Sequence, residues 1–112
     1  MKKIEAIIRP EKLDAVLDAL ENVGYSGLMI TEIKGHGKQK GLVQQWRGEQ
    51  YKVKLIYKVK IEIIAKDSEI EGIKNTIIKS AKTDEMGDGK LFIYAIEEAV
   101  KIRTGETGED AL

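Results

Sequence analysis

A chain of 112 residues, 42% hydrophobic and 34% charged, is long enough for one domain with a real core and too short for two. It has one Phe and one Trp, so the core must be aliphatic; having no Cys and one His, it excludes disulfides, thiolate metal sites and His-cluster metal sites. The zero net charge hides an asymmetry, because Lys34 to Lys60 carries eight basic residues against Glu49 alone, leaving that segment at +7 and the remainder at −7.

Met1-Lys2-Lys3 leads straight into Ile4 without the apolar stretch of a secretory signal, and no apolar run is long enough to span a bilayer. With the absence of Cys, this points to a cytoplasmic protein with no membrane insertion. A first strand ends at Pro10, where a helix begins that Gly24 should stop, with Leu13, Val16 and Leu20 on one face. Leu28 to Lys34 reads as the second strand. From about Gly37 to Tyr57 comes a stretch too long, too polar and too rich in glycine for an ordinary hairpin connection; loops of this length are usually functional or disordered. It carries Trp46, Arg47, Gly48 and Tyr51, a grouping typical of an interaction hot spot.

The third strand is long, with Val59, Ile61, Ile63 and Ala65 alternating against Lys58, Lys60, Glu62 and Ile64. Ser68-Glu69-Ile70-Glu71 has the spacing of a capping box and opens a second helix with Ile70, Ile73 and Ile77 on one face. Leu91 to Ile96 forms a last strand, and 98–112 is a tail segment. The two halves echo one another: Lys3-Ile4-Glu5 recurs 57 residues later as Lys60-Ile61-Glu62, and the helix patterns match at the same offset. The order is that of an α+β, ferredoxin-like βαββαβ sandwich, a single domain over 1–112 with both helices on one face of a four-stranded antiparallel sheet. Ile7 and Ile64 then fall on the uncovered face, and such a face should find a partner subunit.

Three glycine-rich basic clusters lie at element boundaries: Gly35 to Gly41, Met86 to Lys90 and Lys101 to Glu106. Glycine lets backbone approach a ligand closely, and neighbouring Lys or Arg supplies charge for phosphate or carboxylate. No Walker A string is present, so a shared anion site built from separate clusters is expected. Two other functions compete. A phosphoryl-transfer enzyme would need a base or nucleophile, and only Asp88 stands beside a glycine loop. An RNA-binding module would need stacked aromatics on the open sheet face, where the strands carry Ile, Lys and Glu; no nucleic-acid partner is expected.

Six strings, from Lys2-Lys3-Ile4-Glu5-Ala6-Ile7-Ile8-Arg9-Pro10 through Gly37-Lys38-Gln39-Lys40-Gly41, Arg47-Gly48 with Tyr51, Lys58 to Ile63 and Gly87-Asp88-Gly89-Lys90 to Ile102-Arg103-Thr104-Gly105-Glu106, resemble the nitrogen-regulatory PII signal-transduction proteins over the whole chain. The resemblance implies a non-enzymatic homotrimer in which ATP and ADP compete for clefts between subunits. The nucleotide site would be drawn from Met29, Gly37, Lys38, Gln39, Ile64, Gly87, Asp88, Gly89, Lys90, Lys101 and Arg103. The effector 2-oxoglutarate would meet Gln39, Lys40, Gly41, Lys58 and Gly87, with Gln39 also serving Mg²⁺ alongside ATP. Residues 37–57 would be the T-loop, docking through Trp46, Arg47 and Tyr51 on ammonium transporters or nitrogen-assimilation enzymes, and Tyr51 is the position that some bacteria uridylylate. Met29 stands where Thr is usual, Lys38 and Lys101 replace Arg, Lys54 replaces Asp, and Tyr57 replaces a Pro.

Overall fold

The computed structural model describes residues 1–37, 44–46, 49–51 and 54–112. Strand β1 (Lys2–Ile8) is followed by a 3-10 turn (Pro10–Lys12), helix α1 (Leu13–Glu21) and strand β2 (Met29–Gly37). Two short strands, β3 (Gln44–Trp46) and β4 (Glu49–Tyr51), pair with each other. Strand β5 (Lys54–Ala65), helix α2 (Asp67–Ala81) and strand β6 (Gly89–Ala95) complete the order. The main sheet runs β2-β5-β1-β6, with every neighbouring pair antiparallel. This is the ferredoxin-like arrangement expected from the repeated β-α-β pattern: each β-α-β unit places its two strands non-adjacently, so the halves interleave.

Alternation in the strands decides which face is covered. Ile4, Ala6 and Ile8 of β1 and Val59, Ile61, Ile63 and Ala65 of β5 are buried beneath the helices. Val16 and Leu20 of α1 and Ile70, Ile73, Ile77 and Ala81 of α2 close over them, while Leu13 packs at the margin. Each such Ile or Leu, removed from water, stabilises the fold by about 1.5–3 kcal/mol.

Helix α1 begins its α-helical part at Leu13, because Pro10 sets a 3-10 turn first; it stops where Gly24, at φ +80, donates its N–H to the Leu20 carbonyl over 3.2 Å. Helix α2 departs from the expected capping box. It starts at Asp67 after an extended Lys66, with no side-chain cap, and Ser68 and Glu71 lie inside the helix. The Asp67 carboxylate supplies the negative charge favoured at this helix start, and it accepts a hydrogen bond from the Met1 amino group at 2.9 Å.

The strands flanking the long connection also run further than expected. β1 ends against Val59, so Lys54 to Lys58 pair only with Ile33 to Gly37 of β2 and form a two-stranded ribbon beyond the rest of the sheet. Leu55 and Tyr57, expected in the loop, are therefore strand residues, each more than half exposed. Ladder hydrogen bonds along β2 sustain this extension where local hydropathy does not. β6 likewise begins at Gly89 and ends at Ala95; Ile96 lies just beyond it and donates its N–H to the Met1 carbonyl.

The uncovered face is not the aliphatic surface that Ile7 and Ile64 suggested. Strand register sets Glu5 of β1 opposite Glu62 of β5, with Lys3 diagonal to Glu62 and Lys60 diagonal to Glu5, and Phe92 and Tyr94 of β6 opposite Glu5 and Lys3 on the other side. Lys3 bonds Glu62 at 3.1 Å, lies 3.8 Å from Glu5 and sits over the Tyr94 ring, while Lys60 reaches Glu62 at 3.7 Å. A charged lattice occupies the centre, and apolar side chains lie around it.

Candidate functional site

At the end of the sheet where β1 finishes, Ile8 lies between Val59 of β5 and Gly89 of β6. Arg9, Lys58 and the segment joining α2 to β6 meet just beyond it. Arg9 is held in extended backbone (φ −63, ψ 137) by the Pro that follows, which projects its side chain past the strand end. Its Nε donates to Asp88 Oδ1 at 3.0 Å and its Nη2 to the Met86 carbonyl at 2.7 Å. Lys58 donates through Nζ to the Gly87 carbonyl.

Asp88 is the knot of this loop. It accepts the backbone N–H of Thr83 at 2.8 Å, that of Asp84 at 3.1 Å and the Thr83 hydroxyl, in addition to Arg9. The Thr83 hydroxyl and N–H chiefly, with Arg9 and the Asp84 N–H, hold its carboxyl far below the usual carboxylate range, against an opposing effect of burial. The loop turns through three left-handed residues, Asp84 (φ 67), Gly87 (φ 95) and Gly89 (φ 101). Gly89 has no substitute: a Cβ there would lie 1.7 Å from the Ile7 carbonyl oxygen. Backbone that alternates handedness in this way makes concavities suited to anions.

Charge reinforces that suitability. Lys90 and Lys60 flank Ile7 in register on the open face, and Lys58 lies two residues beyond Lys60 on the same side. Of the acids at this end, Asp88 is taken by Arg9 and its own loop, Asp84 pairs with Lys82, Glu11 lies 3.9 Å from Arg9, and Glu62 faces Lys3 and Lys60, while Glu85 is exposed. The lysines cluster on the open face, while Asp84 and Glu85 lie in the turn of the loop. On the helix side, a cavity of about 140 Å³ lies under the same loop, walled by Ile8, Ile77, Ile78, Ala81 and Leu91. Its wall is mostly apolar, with Lys82, Asp88 and Lys90 also in the lining.

The expected site residues fall into two groups. Lys58, Gly87, Asp88, Gly89 and Lys90 gather at this end. Met29, opposite Glu62, and Ile64, opposite Lys3, stand at the other end of the sheet. Six residues of strand, about 20 Å, separate Lys58 from Ile64. Lys101 and Arg103 follow β6, which leaves the loop and runs toward that far end. There the Lys101 N–H donates to the Glu106 carbonyl at 2.8 Å and Val100 pairs with Thr107, making a small turned hairpin with Arg103 exposed. Lys38, Gln39, Lys40, Gly41 and Arg47 lie outside the described residues, as do the side chains of Trp46 and Tyr51, although the backbone of these two and of Gly37 is in strands.

Two residues of the site were not singled out from the sequence. Arg9 stood within a matching string without a role, and its position between a strand end and a Pro was the signal that it leaves the sheet. Thr83 had no local signal, since its bond to Asp88 exists only once the loop has closed.

Among the described residues no group of three or more His, Asp or Glu could hold a metal, and no helix is long and apolar enough to cross a membrane. The family model described as nitrogen regulatory protein P-II matches residues 1–106. Similar curated proteins include a nitrogen regulatory protein P-II of Mesorhizobium japonicum, 53% identical, and one of Cereibacter sphaeroides, 52% identical, each aligned over all of both chains. A nitrogen regulatory protein P-II 2 of Methanothermobacter thermautotrophicus is 48% identical over all of this chain and 97% of its own.

Proposed function

This chain belongs to the nitrogen regulatory protein P-II family, and from that premise we propose that it is a non-enzymatic, cytoplasmic signalling regulator that reads ATP, ADP and 2-oxoglutarate. The observation that carries the ligand assignment is the glycine loop at the sheet end, with Lys58 and Lys90 beside Gly87 to Gly89. Phosphate is the ligand class whose charge and oxygen geometry such a loop fits.

The two-ended distribution of the remaining residues supports a site shared between copies. Met29 and Ile64 lie too far from Gly87 for one nucleotide to touch both within a chain. A second copy can bring its Met29 and Ile64, with its Lys101 and Arg103, against the first copy's loop. A homotrimer has three such clefts, and the open sheet face supplies surface for it.

Mg²⁺ would take its oxygens chiefly from ATP and the 2-oxo acid, with Gln39 as the protein ligand, a composition that suits a cation which keeps few protein ligands. Lys58, now bonded to the Gly87 carbonyl, would turn to the distal carboxylate of 2-oxoglutarate. The loop through Trp46, Arg47 and Tyr51 would carry the result to an ammonium transporter or a nitrogen-assimilation enzyme. A regulator also suits the chemistry of Asp88, because a carboxylate already holding four donors, with its pKa depressed, is a poor general base.

Titration calorimetry tests the reading. ATP and ADP should each bind saturably, and 2-oxoglutarate should bind only with ATP and Mg²⁺ present. Lys90→Ala should weaken both nucleotides roughly tenfold or more, the loss of a charge-assisted hydrogen bond. Equal binding of 2-oxoglutarate with ADP, or without metal, would reject the coupling. Unchanged nucleotide affinity in Lys90→Ala would reject the loop as the phosphate site.

A further inference from the structure

We infer that Arg9 is a positioning residue of the phosphate loop, acting through Asp88 and the Met86 carbonyl instead of through the ligand. This rests on the reading of Gly87 to Lys90 as the phosphate site, and it assigns a role to a residue outside that set.

The geometry is specific. One guanidinium, anchored at the end of β1, bonds two acceptors that bracket Gly87: the Met86 carbonyl at 2.7 Å before it and the Asp88 carboxylate at 3.0 Å after it. Its Nη2 lies 3.4 Å from where a Cβ on Gly87 would stand, so the loop is folded directly over the fork. Asp88 in turn gathers the Thr83 hydroxyl and the N–H groups of Thr83 and Asp84. The loop thus has a hub at Asp88; Arg9 ties that hub to the end of β1, while Lys58 of β5 holds the Gly87 carbonyl.

This arrangement has two consequences. A loop with left-handed residues at 84, 87 and 89 has conformational freedom to lose on binding, and a guanidinium fork that fixes the carbonyl before Gly87 and the carboxylate after it removes that cost in advance. Equally, a bare Asp88 carboxylate would repel phosphate; with Arg9 engaged on it, its charge is offset and Lys58 and Lys90 remain to attract the ligand. Lysine cannot replace the fork, because a single ammonium cannot present the planar pair of donors that the two acceptors use.

A double-mutant cycle tests this, with Arg9→Gln, Asp88→Asn and the double variant titrated with ATP and with adenosine. Each single change should weaken ATP roughly tenfold. Adenosine, which lacks phosphates, should be affected far less. The double variant should bind ATP about as well as the weaker single, because both changes break one unit. Arg9→Lys should restore only part of the loss. Amide exchange of residues 84–90 in the ligand-free protein should speed up in Arg9→Gln.

Losses that add in the double variant, full rescue by lysine, or unchanged loop exchange would each overturn the proposal, the first two pointing to direct contact with the ligand. If the wild-type chain binds no nucleotide, the reading of the site fails. The exchange measurement still decides whether Arg9 orders the loop.

Discussion

Gly89 and Asp88 show how much the site depends on single positions. Gly89 combines φ +101 with a Cβ position 1.7 Å from the Ile7 backbone oxygen, so Gly89→Ala must break the first β1–β6 pair or displace the loop. We expect a large fall in melting temperature together with loss of nucleotide binding. Gly105 is a control: its φ is +75 but a Cβ there meets nothing within 4 Å, so Gly105→Ala should cost only about 1–2 kcal/mol. A pair of thermal melts separates the two cases. Asp88 has its pKa lowered in the fold, so the stability it contributes is present above the ordinary carboxylate range and is lost as pH falls through the lower folded value. Carbon NMR of the Asp88 carboxyl should show it still ionised where ordinary Asp residues, near pH ~3.9, have taken up protons. Thr83→Val removes the hydroxyl that is the largest cause of that shift and should move the titration upward. An unmoved titration would show that the hydroxyl bond does not hold the loop.

At the scale of elements, the helices are held by their buried stripes and the strands by alternation. Ile73 sits at the centre of α2 with no exposed surface, and Ile73→Ala should destabilise the domain by about 2–5 kcal/mol, readable by urea denaturation. The neighbouring Ile78 is 48% exposed, and Ile78→Ala should cost far less by the same measurement. The β2–β5 ribbon behaves differently from the sheet, because among the described residues no third strand and no helix covers it beyond Val59. Leu55 and Tyr57, on the helix-side face of that ribbon, are more than half exposed, and Lys34 lies over the Tyr57 ring. Tyr57→Ser should therefore leave the melting temperature of the domain nearly unchanged, since its packing contributes little to the core.

The whole molecule places apolar and charged groups together on one uncovered sheet face. Lys3 is raised in pKa chiefly by its hydrogen bond to Glu62, and Glu62 is lowered chiefly by the same bond. The Glu62 contribution is present above the ordinary carboxylate range and fades as pH falls through its lower folded value; the Lys3 contribution is present below 10.5 and fades as pH rises past its higher folded value. Between those limits the lattice keeps its charges. Phe92 and Tyr94, each 45% exposed, lie beside it on the edge strand β6. If copies associate through this face, light scattering at micromolar concentration should give three times the 12.5 kDa chain mass, and Phe92→Lys should dissociate the assembly. A monomeric mass for the wild-type chain would remove the shared cleft, and with it the proposed site.

Local patterning was enough for the four main strands, the two helices and the helix faces, but not for the short β3–β4 pair within the long connection. Leu13, Val16 and Leu20 at helical spacing and Val59, Ile61, Ile63 and Ala65 at strand spacing admit one consistent amphipathic assignment, and periodicity is a local property. The glycine-rich strings likewise located the loop at 87–90, because residues able to adopt positive φ are visible as letters. Contacts set by pairing across the chain lie beyond local pattern. Lys54 to Tyr57 became strand because Lys34 to Gly37 pair with them. Asp67 met the Met1 amino group, 66 residues away, and Ser68 fell inside α2 in place of capping it. Lys3 and Glu62 became a pair on the open face, 59 residues apart. Arg9 found Asp88 across 79 residues of sequence, a contact no local spacing encodes, because it exists only when β1 and β6 lie side by side.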